Sequence, residues 1–88
     1  MLEDHKIRTF LTVVEEGSFT QAARKLGVSQ PGVSSLIAAL EQQLGFALFQ
    51  RTPFLSLTPA GETFLGYARR IQEAYDLANH AFSVGAKH

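Results

Sequence analysis

Ser18-Phe-Thr-Gln-Ala-Ala-Arg-Lys-Leu26, then Gly27-Val28-Ser29, then Gln30-Pro-Gly-Val-Ser-Ser-Leu-Ile-Ala-Ala-Leu-Glu-Gln-Gln-Leu44: the fold of this chain turns on that stretch. Ser18 caps a helix, with Gln21 three residues on completing a capping box. Ala22, Ala23 and Leu26 point inward, and the alanines let a neighbouring helix come close. Gly27 is a left-handed stop, and Ser29 caps again at once. Pro31 falls in the first turn of the next helix, where a missing N–H costs nothing. Val33, Ile37, Leu40 and Leu44 step by four, three and four residues, which defines the buried face, and Gly45 ends the helix. Two helices joined by so tight a turn make a helix–turn–helix, which lays its second helix in the DNA major groove and braces it with the first.

The flanks complete a larger unit. Upstream, residues 4–16 form an amphipathic helix with Ile7, Phe10, Leu11 and Val14 on one stripe, ended by Gly17. Downstream, residues 46–51 and 55–58 read as two short strands around Thr52-Pro53-Phe54, the wing of a winged helix–turn–helix. Thr58 then caps a fourth helix with Pro59 at its first position, running to about Val84. Phe64, Ala68, Ile71, Tyr75, Ala78 and Phe82 recur along it by four, three, four, three and four residues, a heptad seam. A core of 88 residues is too small to cover that seam, so a partner helix is the expected cover and a homodimer the expected state. The alternative is that the seam lies on its own domain. The predicted fold is mostly α: a winged helix–turn–helix over residues 1–58 and a long linker or dimerisation helix over 59–88.

Composition sets the outer limits. Eighty-eight residues, 45% apolar, make one small domain with modest stability of its own. With no cysteine there are no disulfides or thiolate metal sites. No apolar run approaches a membrane span, and Glu3-Asp4-His5-Lys6 is unlike a signal peptide, so no membrane partner and a cytoplasmic location are expected. Net charge is zero, unusual for a nucleic-acid binder, but the distribution is uneven. Between Ser18 and Thr58 the charges are Arg24, Lys25 and Arg51 against Glu41 alone; the other acids gather in the flanks.

Catalytic constellations are missing, and neither an enzyme nor a cofactor is expected. Gly61-Glu-Thr-Phe-Leu-Gly66 has phosphate-loop spacing, but Tyr67 stands where a lysine must be, inside a helix. Glu73, Asp76 and His80 can share a helical face, yet such a trio reads as a solvated surface and no metal site is expected. His5 and His88 lie near the chain ends with no partner suggested. The DNA-facing inventory is richer. Gln30, Pro31, Ser34, Ser35 and Ala38 open the outward surface of the second helix of the motif. Gln30 can bond an adenine edge bidentately, serine can donate or accept against any base, and Pro31 and Ala38 offer apolar contact to a thymine methyl. Ser18, Thr20, Ser29 and Arg51 are the expected phosphate contacts, with long-range attraction from Arg24 and Lys25.

Taken in order, these residues resemble the N-terminal DNA-binding domain of LysR-type transcriptional regulators. The resemblance rests on Phe10, Glu16-Gly17-Ser18-Phe19, Ala22-Ala23 with Leu26, Ser29-Gln30-Pro31, Val33-Ser34, Ile37, Leu40-Glu41, Leu44-Gly45, Leu48-Phe49-x-Arg51 and Leu57-Thr58-x-Ala60-Gly61. It implies a bacterial regulator that binds double-stranded DNA at inverted-repeat operators. Its linker helix would pair antiparallel with its twin, and the full-length protein would form a tetramer. A C-terminal inducer-sensing domain belongs to the family and is not in these residues. Ser35 stands where the family often has Arg or Lys, Leu36 where a polar residue is common, and Phe54 where the wing often has a second arginine. Fewer cationic anchors imply weaker nonspecific affinity and a shallower salt slope; the zero net charge and the exposed-looking Leu36 and Phe54 leave a second reading, a winged-helix module for protein–protein interaction.

Overall fold

A computed structural model describes residues 4–86, with side chains as far as Phe82; residues 1–3 and 87–88, which hold Glu3 and His88 and the ends of both expected segments, lie outside the described residues. The elements run α1 (His5–Glu16), α2 (Phe19–Leu26), α3 (Gln30–Leu44), β1 (Phe49–Gln50), β2 (Ser56–Leu57) and α4 (Pro59–Ala86). This is the expected mostly helical, winged arrangement.

Each helix begins where a short polar side chain meets its first amides. Asp4 accepts from the N–H groups of Lys6 and Ile7, Ser18 from Gln21, Ser29 from Gly32 and Thr58 from Gly61. Gly17, Gly27 and Gly45 end α1, α2 and α3 with φ of 66°, 70° and 86°, the left-handed geometry that a Cβ disfavours. Caps and stops therefore fix α2, the turn and α3 independently of packing.

One apolar core joins all the helices and the wing. It contains Ile7, Phe10 and Val13 from α1, Phe19, Ala22 and Ala23 from α2, and Val33, Ile37 and Leu40 from α3. Leu48 and Phe49 enter it from the wing and Ala68 from α4. The inward face of α1 is thus rotated from the expected stripe. Val13 is fully buried, whereas Leu11 and Val14 are half-buried. Val14 sits beside Leu55 and Leu57 of the wing, and Leu11 beside Leu65 and Arg69 of α4, where cover is thinner. Phe10 centres an aromatic cluster, with ring centroids 5.4 Å from Phe49 and 5.1 Å from Phe64.

The wing is shorter than expected. Residues 46–51 and 55–58 yield a two-residue antiparallel ladder, Phe49 opposite Leu57 and Gln50 opposite Ser56. The cause lies in where the backbone groups go. Glu41 Oε2 accepts from the amides of Leu48 (2.7 Å) and Phe49 (3.3 Å), and the Thr58 hydroxyl donates to the Ala47 carbonyl at 2.6 Å. The Leu48 amide is thereby taken from the ladder, which otherwise runs on by one backbone bond, the Thr58 N–H donating to the Leu48 carbonyl at 2.9 Å. Gly61, half of the apparent phosphate-loop pattern, lies where α4 crosses this wing. A Cβ there would stand 2.1 Å from the Leu48 carbonyl oxygen, so only glycine allows the approach.

Along α4 the seam divides. Ala68 is fully buried and Phe64 half-buried against the core of their own chain. Beyond them Ile71 is 38% and Phe82 72% exposed, with Tyr75 and Ala78 half-buried. The helix accounts for the elongated outline of 52 × 26 × 20 Å.

Candidate nucleic-acid interface

The first turns of α3 present a nearly chargeless polar surface. Gln30, Pro31, Ser35 and Ala38 are exposed and Ser34 is half-buried, while Val33, Ile37 and Leu40 face the core. Pro31 lacks an N–H, and Ser29 occupies the Gly32 amide at 3.1 Å, so two of the four orphan donors of this helix start are removed or satisfied. Ser18 does the same for Gln21 in α2. Both capping hydroxyls act as acceptors in these bonds, which leaves each proton available to a phosphate oxygen. Thr20 differs: its hydroxyl donates to Gln30 Oε1 at 3.1 Å.

Arg51 is exposed at the end of β1, and its guanidinium carbon lies 4.1 Å from the centroid of the Phe19 ring. Phe19 in turn meets Phe49 nearly edge-on at 5.7 Å, which ties it to the aromatic cluster. The wing cation therefore rests on the first residue of α2, on a ring that the core holds still. Phe54, at the wing tip, is 70% exposed. Leu36 is not the exposed residue that its sequence context suggested. It is half-buried, beside Leu26 and Val28 on one side and Leu40 and Leu44 on the other.

Charge in this unit is more tightly committed than its count implies. Lys25 forms ion pairs with Glu15, and with Glu16 at 3.5 Å, so it is not the unpaired cation expected on the outer side of α2. The hydrogen bond to Glu15, helped by the charges of both acids, holds its ammonium above the ordinary lysine range. The turn at Gly17 creates this pairing by folding α2 back along the last turn of α1. Arg24 is exposed. Glu41, unassigned by sequence reasoning, is the tether between α3 and the wing through the Leu48 and Phe49 amides. The signal was available: it is the single acid between Ser18 and Thr58, one turn before a helix end.

Elsewhere, Glu73, Asp76 and His80 lie exposed on α4, with Gln72 Nε2 donating to Asp76 Oδ1 at 3.0 Å. Among the described residues no group of three His, Asp or Glu side chains is placed to hold a metal ion, and no helix is long and apolar enough to cross a membrane.

Residues 5–62 match the family model described as bacterial regulatory helix-turn-helix protein, lysR family. The chain is 45% identical over 78 residues to the HTH-type transcriptional regulator ClcR of Pseudomonas putida, covering 88% of this chain and 26% of that protein. It is 48% identical over 73 residues to the HTH-type transcriptional regulator TfdS of Cupriavidus pinatubonensis, covering 82% of this chain and 25% of that one. The chain thus spans about a quarter of the length of these relatives. Among solved structures it resembles the BenM_DBD/catB site 1 DNA complex, with a TM-score of 0.89 at 36% identity over 99% of both chains. The CbnR_DBD–DNA complex follows with a TM-score of 0.85 at 36% identity, covering 97% of this chain and 99% of that one.

Proposed function

The chain belongs to the LysR family of bacterial regulatory helix-turn-helix proteins, and from that premise we propose that it binds double-stranded DNA sequence-specifically, with α3 in the major groove. The observation that carries the proposal is the exposed N-terminal face of α3, held by two capped turns beside Arg51, in a chain that matches the BenM_DBD/DNA complex over 99% of its length. Gln30, Ser34 and Ser35 supply the hydrogen bonds to base edges, and Pro31 and Ala38 the apolar contact to a thymine methyl. Ser18, Ser29 and Arg51 take phosphates; Thr20, the other residue expected there, stands between the two groups. The Ile71–Phe82 portion of the seam joins two copies. Two α3 helices related by a two-fold axis call for an inverted-repeat operator. The role is regulatory rather than enzymatic, and it places the protein on DNA in the bacterial cytoplasm. The interaction-module reading is not favoured, since Leu36, one of the two side chains that suggested it, is half-buried.

The test is fluorescence anisotropy with a duplex selected from a random-sequence pool and, beside it, an unselected random duplex. Gln30→Ala is expected to weaken binding to the selected duplex by about 1–3 kcal/mol per contact and to relax one base position. An equal loss on both duplexes would show that Gln30 does not read a base. Wild-type binding insensitive to salt on either duplex would remove the DNA reading altogether.

A further inference from the structure

We propose that Thr20 is not a phosphate contact but the residue that positions Gln30, so that the sequence preference attributed to α3 depends on a side chain of α2. The inference rests on the reading that Gln30 meets a base edge. Its basis is the bond between the Thr20 hydroxyl and Gln30 Oε1, 3.1 Å long, which joins the second residue of α2 to the first residue of α3.

Three physical points support it. A threonine hydroxyl has one proton. Spent on Gln30, that proton is not available to a phosphate oxygen, whereas Ser18 and Ser29 accept in their capping bonds and keep theirs. Secondly, glutamine is among the side chains that lose most rotamer freedom when ordered. Gln30 is exposed, so a bond formed before DNA arrives reduces the ordering left to do on binding. Thirdly, the bond uses one lone pair of Oε1 and leaves the other lone pair and both Nε2 protons free. The capacity for bidentate reading of an adenine edge is therefore intact while the torsions that aim it are restrained. Thr20 is itself well placed for the task. Being β-branched, it has few χ1 choices within a helix, and Ser18 and Gly27 set the ends of that helix.

The experiment compares the intact chain with Thr20→Val, Thr20→Ser and Gln30→Ala. Each is used to select duplexes from the same random-sequence pool, and affinities are then measured on the wild-type selected duplex and on unselected duplex. Thr20 is exposed, and valine keeps its shape while removing the proton. Thr20→Val is expected to lose base preference at the position that Gln30→Ala loses, and to weaken the selected duplex about threefold to tenfold, the range of one hydrogen bond, with little change on unselected duplex. Thr20→Ser should restore both the preference and the affinity. If Thr20→Val weakens both duplexes alike and its selected pool keeps the wild-type preference, Thr20 is a phosphate contact and the proposal is wrong. If Gln30→Ala itself leaves every base preference unchanged, the base-reading role of Gln30 is what has failed, and the positioning role falls with it.

Discussion

Arg51 illustrates how little charge this surface has and how carefully it is held. A guanidinium stacked on an aromatic ring at the protein surface gains about 0.5–1 kcal/mol, a small share of stability but enough to bias a long side chain toward one orientation. Phe19 can provide that face because it is buried and braced edge-on by Phe49. With Lys25 committed to Glu15 and Glu16, and Phe54 rather than a cation at the wing tip, Arg51 on the wing and Arg24 on α2 are the exposed arginines of the Ser18–Thr58 unit. Arg51→Ala should therefore weaken selected and random duplexes alike. It should also make the slope of log K against log salt shallower by about 0.9 per bound protomer, the contribution of one neutralised phosphate. An unchanged slope in a salt titration would take Arg51 off the backbone. The position of Arg51 at the wing was legible from its place after Leu48-Phe49; the Phe19 face beneath it was not, because a contact across 32 positions leaves no local pattern.

At the scale of elements, the helices were legible to their ends, and the wing was legible in its place but not in its length. Asp4, Ser18, Ser29 and Thr58 as starts, and Gly17, Gly27 and Gly45 as stops, act through backbone groups two to four residues away, so their signals are local. The length of the wing depends instead on Glu41, seven residues before Leu48, which takes the Leu48 amide where the ladder would have continued. A two-residue ladder does not hold itself. Glu41 supplies what it lacks, and its removal leaves two partly buried amides without an acceptor. Glu41→Ala is expected to cost about 1–3 kcal/mol. For a domain of this size each kcal/mol lowers the melting temperature by roughly 4–8 °C. Hydrogen exchange should locate the damage, with faster exchange at the Leu48 and Phe49 amides while the α2 amides keep their protection. Unchanged melting and exchange would show that the ladder and the core hold the wing without the tether.

For the whole molecule, the division of the α4 seam bears on how a domain of zero net charge can hold DNA. Phe64 and Ala68 belong to the core of their own chain, so the helix is anchored rigidly to the reading unit. From Ile71 onward the same stripe runs out along the long axis of the molecule, with Ile71 and Phe82 exposed and Tyr75 and Ala78 half-buried. A rigid arm of that kind fixes the separation of two α3 helices once two arms pair, and the second half-site then binds intramolecularly at high effective concentration. The zero net charge is an argument for the proposed pairing, because two linked domains double the phosphate contacts that one domain's few free cations can make. Replacing Ile71 and Tyr75 together with Asp places two buried charges in the paired state and none in the domain core, whose contact with the seam residues ends at Ala68. Sedimentation should then report monomers with native helix content, and anisotropy a severe loss of affinity for a two-half-site duplex but little loss for a single half-site. Dimers that persist at the same concentrations would assign the contact to other surfaces. A variant that instead lost its helix content would show that the outer half of α4 supports the fold of its own chain.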